Sequence, residues 1–380
     1  MDFSFSDEQK LLQDSVARFI QNDYPFDARQ KTIRQEPGFS TEHWRQFAEL
    51  GWLGVPFPEA DGGFGGGPIE TMIVMEEFGK GLVVEPFLST VLLAGRAISI
   101  GATGDHGAAQ KAQWLTGIIE GRTHGALAFA EPQSRYNLAN VTTTARQDGE
   151  GWVIDGYKAV VMNGPAADVL VVSARTSGDR LDRSGVTLFL APANADGIER
   201  RDYRTVDGMR ASEITFRGVR LGGDAVLGQV GEGLPVLEQV IDEATMAVGA
   251  EAVGAMEVAH RQTVEYCKTR EQFGVPIGTF QVLQHRMVDM FMEHEQAKSL
   301  MYMAAIRLDE GYGPVAQKAV SAFKVQVGKS GRFVGQQAVQ LHGGMGMTDE
   351  LSVGHYFKRL TTIDTLFGNV DFHLKRFGAL

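Results

Sequence analysis

Residues 283–308 read LQHRMVDMFMEHEQAKSLMYMAAIRL, and the spacing of their apolar residues decides the fold of the C-terminal part. Steps of four and three alternate through Leu283, Met287, Met290, His294, Ala297, Met301, Ala304 and Leu308. An α-helix has about 3.6 residues per turn, so this spacing places all of them on one helix face. The stretch predicts the seam of a helical bundle, in which His294 is a hydrogen-bonded core residue and not a ligand.

The middle part of the chain, before this bundle, has sequence features typical of β-strands. Residues 142–146 and 152–154 are rich in strand formers and flank Asp148-Gly149, a strong hairpin signal. Further short β-rich runs follow without helices between them, at residues 169–174, 186–190 and 214–219. This order predicts an antiparallel sandwich or barrel and not a Rossmann sheet.

The first third of the chain is helical in pattern. Ser6 and Gln9 have the spacing of a capping box and precede a helix with an apolar face. We therefore predict an α+β fold in three parts. A helical N-terminal domain spans residues 1–122, a middle antiparallel β-domain spans 123–230, and a C-terminal four-helix bundle spans 231–380.

Composition excludes several classes of protein. The formal net charge of −11 disfavours nucleic acid as a partner, because phosphate binding needs a basic face. Arg200, Arg201 and Arg204 form a local basic run, which we interpret as a solvated strand edge. The single Cys267 excludes an internal disulfide. With an acidic N-terminus, no apolar run of membrane-spanning length and no predicted metal site, the expectation is a cytoplasmic protein.

Two segments near the C-terminus carry specific chemistry. The first is Arg270-Glu-Gln-Phe273-Gly-Val-Pro-Ile277, followed by Phe280-Gln281, and the second runs from Gln340 through His342, Gly343 and Gly344. Arginine offers a bidentate fork for phosphate, phenylalanine an aromatic face, and paired glycines a backbone that a ligand can approach closely. The structural alternatives are a helix-terminating turn and a glycine helix stop.

Two more segments lie in the β-part, Leu127–Pro132 and Gly156–Gly164. In this order over an α-β-α plan, the four segments resemble the acyl-CoA dehydrogenase family along the whole chain. The nearest resemblance is to small-subunit-type bacterial members such as the pimeloyl-CoA dehydrogenase small subunit. The resemblance implies FAD as cofactor. It also implies that one set of residues contacts the adenosine-pyrophosphate half of a FAD whose flavin lies in the neighbouring subunit: Arg270, Phe273, Phe280, Gln281, Gln340, His342, Gly343 and Gly344.

The resemblance further implies α,β-dehydrogenation of an acyl-CoA thioester in β-oxidation, with an electron-transfer flavoprotein as acceptor. A carboxylate removes the α-proton in this reaction while hydride passes to the flavin. Family members usually carry that carboxylate where this chain has Phe367, and phenylalanine cannot take a proton. A second family location matches Ala244. Glu243, Asp242 and Asp364 are the weak candidates that remain.

The segments that would contact the chain's own flavin have also changed. The family's Thr-Glu-Pro is Ala130-Glu131-Pro132 here, and its Trp-Ile-Thr-Asn is Val160-Val-Met162-Asn163. Losses concentrate at the flavin end, whereas the contacts toward a neighbour's FAD are kept. The interpretation is an α2β2 heteromer whose other subunit is a second acyl-CoA dehydrogenase-type chain that holds the base. A self-sufficient homo-oligomer with a relocated carboxylate, or a non-catalytic structural subunit, are the alternatives.

Overall fold

The computed structural model describes residues 4–380, apart from the side chain of Asp105. The chain folds into two compact units that are each discontinuous in sequence. One unit is helical and contains residues 4–31, 68–83 and 245–380, and the other contains residues 32–67 and 84–244 with the β-sheet. Because this division follows contacts and not chain continuity, the three continuous domains stay a prediction.

The first third is helical, as the sequence predicts. Ser6 caps the first helix: its hydroxyl accepts from Gln9 N, and the Gln9 side chain accepts from Ser6 N, which confirms the capping box. The α-helices are α1 (Asp7–Asp23), α2 (Phe26–Thr32), α3 (Thr41–Glu49), α4 (Pro68–Gly81), α5 (Arg96–Gly101), α6 (Gly104–Gln110) and α7 (Thr116–Ile119). A π-helix, Phe87–Gly95, leads directly into α5, and a second one, Lys111–Leu115, joins α6 to α7.

The middle of the chain forms a sheet with the spatial order β6-β7-β3-β2-β4-β5-β8, and β1 also pairs with β4. The strands are β1 (Gly125–Ala128), β2 (Thr144–Asp148), β3 (Gly151–Met162), β4 (Val169–Arg175), β5 (Val186–Pro192), β6 (Ile198–Arg204), β7 (Arg210–Leu221) and β8 (Val226–Leu227).

Most pairs in this sheet are antiparallel, including the predicted β2–β3 hairpin around Gly149. The pairing of β1 with β4 is parallel, and β2 meets β4 in parallel at Thr144 and Arg175. Strand β6, with Arg200, Arg201 and Arg204, lies at the sheet's edge and is largely exposed, which confirms the interpretation of this basic run.

The C-terminal part contains α8 (Gly233–Thr269), a small hairpin of β9 (Glu271–Gln272) and β10 (Val275–Pro276), then α9 (Gln281–Asp309), α10 (Pro314–His342), α11 (Ser352–Thr365) and α12 (Val370–Ala379). The predicted seam lies on α9, and from Met290 to Leu308 its residues are buried. His294 is a core residue as expected: it is 5% exposed, with Nδ1 3.1 Å from Glu295 Oε1. No helix within residues 4–380 is long and apolar enough to span a bilayer.

Candidate functional site

A cavity of about 700 Å³ lies in the helical unit where α10 ends. Three residues predicted to contact a cofactor, Gln340, Gly343 and Gly344, line it. The other lining residues are Arg286, Gln336, Gln337, Val339, Met347 and Phe357. Amide side chains and exposed backbone thus face an apolar wall. This mixture is typical of small-molecule and cofactor sites.

The end of α10 gives this cavity an accessible backbone. Gly343 ends the helix with φ +58°, a conformation that glycine adopts without steric cost. A Cβ added at Gly343 or Gly344 would meet no atom within 4 Å. The Cα atoms of both glycines therefore border open space, while the Gly343 N–H donates to Gln340 O.

A stacked pair of rings joins the ends of α8 and α10. The Tyr266 and His342 rings lie 4.3 Å apart between centroids, with an angle of 28° between their planes. His342 is 4% exposed, its Nδ1 donates to Ala338 O at 2.8 Å, and burial lowers its pKa. The His342 ring therefore lies in the interior, while the backbone that follows it borders the cavity. A direct His342–cofactor contact stays a prediction.

The Tyr266–His342 stack also places the predicted arginine segment at this end of the bundle. Arg270 lies one helical turn beyond Tyr266, and its N–H donates to Tyr266 O at 2.8 Å. Phe273 is 93% exposed at the tip of the β9–β10 hairpin, with its ring 6.2 Å from that of Phe280. Arg270, Phe273, Phe280 and Gln281 do not appear among the residues that line the cavity.

Sequence reasoning missed three lining residues that bring polar groups to the cavity, Arg286, Gln336 and Gln337. Gln336, Gln337 and Gln340 are spaced as neighbours on one face of α10, a helical pattern that could have indicated a polar face. No sequence signal pairs Arg286 with Gln337, because they are 51 residues apart.

The position that the resemblance assigns to the base lies in the turn between α11 and α12. Phe367 has φ +58° and is 9% exposed, and Gly368 after it has φ +126°. Lys324 Nζ donates to Asp364 O at 3.0 Å and to Gly368 O at 2.7 Å. His373 Nε2 donates to Phe367 O at 3.2 Å. Buried donors therefore satisfy the carbonyl groups of a turn that carries no titratable side chain at residue 367.

Burial dominates the electrostatics of these donors. It lowers the pKa of Lys324 to about 8, against the opposing effect of the Asp364 carboxylate. Burial, followed by the charges of Lys324 and Arg376, lowers the pKa of His373 to about 3. His373 is therefore neutral at physiological pH and acts as a hydrogen-bonding group.

The three carboxylates offered as substitute bases have different surroundings. Both oxygens of Glu243 accept from Arg96, at 2.8 and 3.1 Å, and Gln239 Nε2 donates to the same carboxylate at 3.0 Å. Asp242 is 2% exposed. Asp364 Oδ2 accepts from Arg332 at 2.9 Å, whereas its buried Oδ1 has no hydrogen bond among the described residues.

In the β-containing unit, Glu131 is held by a dense set of donors. Lys158 Nζ lies 2.7 Å from Glu131 Oε1, and both side chains are almost fully buried. The backbone N–H groups of Thr142 and Thr143 donate at 2.8 and 3.1 Å. Although burial alone would raise it, the charge of Lys158 and these hydrogen bonds lower the pKa of Glu131 to about 2. Glu131 thus organises the loop that follows β1, and its low pKa makes it a weak proton acceptor.

The sequence matches three parts of one family. It matches the acyl-CoA dehydrogenase N-terminal domain over residues 6–122, the middle domain over 126–219 and the C-terminal domain over 231–379.

Individual proteins resemble nearly the whole chain. Acyl-CoA dehydrogenase FadE12 of Mycobacterium tuberculosis is 31% identical, over 92% of this chain and 90% of its own. Acryloyl-CoA reductase (NADH) of Anaerotignum propionicum is 29% identical, over 98% of this chain and 94% of its own. Among solved structures, the FAD complex of PigA is similar with a TM-score of 0.91 and 25% identity, covering 100% of this chain and 98% of that one.

Proposed function

The chain belongs to the acyl-CoA dehydrogenase family, and from this premise we propose that it is the base-lacking subunit of a heteromeric FAD-dependent acyl-CoA dehydrogenase. The small-subunit resemblance in the sequence supports this narrower role. In the proposed assembly, two copies of this chain join two copies of a second acyl-CoA dehydrogenase-type subunit. That second subunit supplies the carboxylate that removes the substrate's α-proton, and an electron-transfer flavoprotein takes up the electrons.

One observation carries the proposal: a buried phenylalanine occupies residue 367 in a turn that hydrogen bonds from Lys324 and His373 hold. A base needs a side chain that can accept a proton, and the benzyl group has none. The carboxylates considered as substitutes do not replace it easily. Glu243 is bound at both oxygens by Arg96, and taking it for proton transfer would leave that half-buried guanidinium unpaired.

FAD is the cofactor of the family, and when bound it accepts hydride from the acyl chain. The cavity at the end of α10 supports contact with the adenosine-diphosphate end of such a group, since a ligand meets no side chain at Gly343 and Gly344, beside the amide of Gln340. We assign the contacts with this end of the cofactor to Gln340, Gly343 and Gly344. The further predicted contacts are Arg270, Phe273, Phe280, Gln281 and His342. These residues bind and orient the cofactor but move no proton.

Exposed apolar side chains on α9 support the proposal that a partner subunit binds this chain. Val282, Val288, Phe291 and Met292 are each between 50% and 62% exposed. Val288 and Met292 lie one turn apart on the side of the helix opposite the buried seam, and Val282 and Phe291 flank that side. A row of exposed apolar side chains on one helix is typical of a surface that another chain covers.

Co-expression of the chain with the product of the adjacent gene, followed by counting FAD per polypeptide, tests the proposal. The expected complex contains equal amounts of the two chains and one FAD per pair. A complex with one FAD on every chain would contradict the shared site, as would the absence of any co-purifying partner.

Asp364 favours a second candidate function, a self-sufficient homo-oligomeric dehydrogenase. Its Oδ1 is buried without a hydrogen bond among the described residues, so that oxygen is not committed as an acceptor. Under this alternative, Asp364→Asn abolishes reduction of the flavin by substrate in the chain purified alone. Under the heteromer proposal, the chain alone shows no such reduction before or after the substitution.

A further inference from the structure

Two arginines lie directly opposite each other at the end of the β6–β7 hairpin. Arg204 is the last residue of β6, Arg210 is the first residue of β7, and the antiparallel register pairs them. Directly opposed residues of an antiparallel pair project from the same face of the sheet, where like charges repel each other. Two neighbouring guanidinium groups in this arrangement therefore need acceptors that compensate their charge.

The connecting segment of residues 33–38 supplies acceptors to both arginines. Arg204 Nη2 donates to Arg34 O at 2.7 Å, and Arg210 Nη2 donates to two carbonyl oxygens of the same segment at 3.1 and 3.0 Å. Glu36 is the one carboxylate within ion-pair distance of Arg210 among the described residues. Its Oε1 lies 3.4 Å from Arg210 Nη2, but the Glu36 side chain is 77% exposed. An exposed ion pair of this kind compensates little of a buried charge.

The Arg210 guanidinium also has donors that the described part of the chain does not use. Arg210 is 8% exposed, and its Nε and Nη1 are buried without a hydrogen bond there. Arg175, which is 7% exposed, shows how the fold satisfies a buried guanidinium, because it donates to six carbonyl oxygens. Burying charged donors without acceptors is costly. Arg210 is therefore suited to a strong acceptor from outside the chain.

A thin cover of backbone separates these donors from solvent. Gly38 lies against the Arg210 guanidinium, and a Cβ added to Gly38 would stand 3.0 Å from Cγ, Nε and Cζ of Arg210. Residues 34–36 of the covering segment are exposed. An exposed connecting segment with few buried contacts opens locally at a low free-energy cost. Lifting of residues 33–38 would give a ligand access to Nε and Nη1 of Arg210.

The charges around Arg210 indicate the class of this ligand. Arg34, Arg200, Arg201 and Arg204 are exposed near this end of the hairpin, although the chain as a whole has a formal net charge of −11. Guanidinium groups bind carboxylate and phosphate oxygens through charge-assisted hydrogen bonds. The contact of Glu36 with Arg210 has the same chemistry within the chain. A ligand with an anionic oxygen therefore suits this position best.

We propose that Arg210 and Arg204 form a binding site for an oxyanion, a carboxylate or a phosphate group, which opens when residues 33–38 lift from Arg210. In the closed form, Glu36 and the carbonyl groups of the segment act as the acceptors. In the open form, the bound oxyanion accepts hydrogen bonds from both guanidinium groups and balances their like charges. The site goes beyond the proposed function, since none of its residues is a predicted cofactor contact or a candidate base.

Hydrogen exchange of the full chain, measured by mass spectrometry at residues 33–38, tests this site. Sodium phosphate and sodium acetate are added at one pH and one ionic strength, with sodium chloride as the reference salt. Exchange at residues 33–38 is expected to become faster with either oxyanion and to saturate, because the ligand releases the segment. A response to phosphate alone or to acetate alone also supports the site and identifies the oxyanion that it prefers.

Three variants identify the residues responsible. Arg210→Gln should abolish the response. Glu36→Gln removes the internal carboxylate and should lower the half-saturating oxyanion concentration about two- to fivefold, the contribution of an exposed ion pair. Arg217→Gln is the matched control, since Arg217 is an exposed arginine on β7 that pairs with Glu199 at 3.2 Å, and the response should be unchanged.

An equal acceleration of exchange by chloride would overturn the proposal, because general ionic screening would then explain it. The absence of a saturable response to both oxyanions, or a full response in Arg210→Gln, would also overturn it. If Arg210→Gln does not fold, Glu36→Gln decides the question, since an unchanged half-saturating concentration in that variant contradicts competition at Arg210.

Discussion

Lys324 Nζ donates a hydrogen bond of 2.7 Å to the carbonyl oxygen of Gly368, the residue that follows Phe367. A fully buried ammonium group thus fixes the turn in which the resemblance expects a catalytic carboxylate. The turn keeps a defined backbone, with left-handed φ at Phe367, although its side chain has no proton chemistry. This hydrogen bond supports the proposal that the chain keeps the backbone architecture of the family although it lacks the catalytic carboxylate.

Replacing Lys324 should therefore cost stability. Lys324→Met removes both donors and leaves the carbonyl groups of Asp364 and Gly368 buried without them, which we expect to lower the free energy of unfolding by about 2–4 kcal/mol. Urea unfolding measures the change. Lys318→Met on the same helix is the control, since Lys318 is exposed and lies over the Phe377 ring, and should change stability by less than about 1 kcal/mol. Equal losses in the two variants would contradict the anchoring role of Lys324.

His373 should make the stability depend on pH in the acidic range. Its folded pKa of about 3 lies below the unfolded value of 6.5, so the unfolded state binds a proton that the folded state refuses. Stability therefore falls as the pH decreases from about 6.5 toward 3, by up to about 1.4 kcal/mol per pH unit. In His373→Gln the dependence over this window should be flatter than in the unsubstituted protein. Parallel pH profiles of the two proteins would show that His373 is not the responsible group.

Glu243 should prove structural and not catalytic. Glu243→Gln breaks the two-point ion pair with Arg96 and is expected to destabilise the protein by about 3 kcal/mol. The turnover number of the assembled complex, expressed per folded enzyme, should stay within about twofold. Loss of about a hundredfold or more in turnover, with normal stability, would instead identify Glu243 as the base.

The glycine at the end of α10 should be needed for the cofactor. At Gly343 an added methyl group meets open space, so Gly343→Ala costs only the strain of a backbone conformation that favours glycine, about 1–3 kcal/mol. That methyl group would nevertheless stand where a ligand approaches the backbone, and the FAD content of the complex should fall. Gly149→Ala, at φ +64° and also in open space in the β2–β3 turn, likewise places an alanine at positive φ and should keep full FAD content. Equal FAD content in both variants would exclude close approach at Gly343.

Local signals in the sequence predicted much of this architecture. The alternating steps along residues 283–308 predicted the buried face of α9, and Asp148-Gly149 predicted the β2–β3 hairpin. Both depend on residues close together in the chain, where helix and turn geometry determine which side chains are neighbours. The same is true of the Ser6–Gln9 capping box.

Relationships between distant residues were not accessible in this way. The parallel pairing of β1 with β4 joins Gly125 to Val169, and turn signals indicate only consecutive strands. The ion pair of the weak base candidate Glu243 with Arg96, 147 residues away, could not be predicted from the sequence. Arg286 was overlooked as a cavity-lining residue for the same reason, because its contact with Gln337 joins two different helices.

The flavin content and substrate response of the chain expressed alone test the central claim most directly. We predict a colourless protein whose absorption spectrum shows no stoichiometric flavin and does not change when acyl-CoA thioesters of different chain length are added without oxygen. Full FAD occupancy together with bleaching of the flavin by an acyl-CoA would contradict the account, because such a chain would carry its own base.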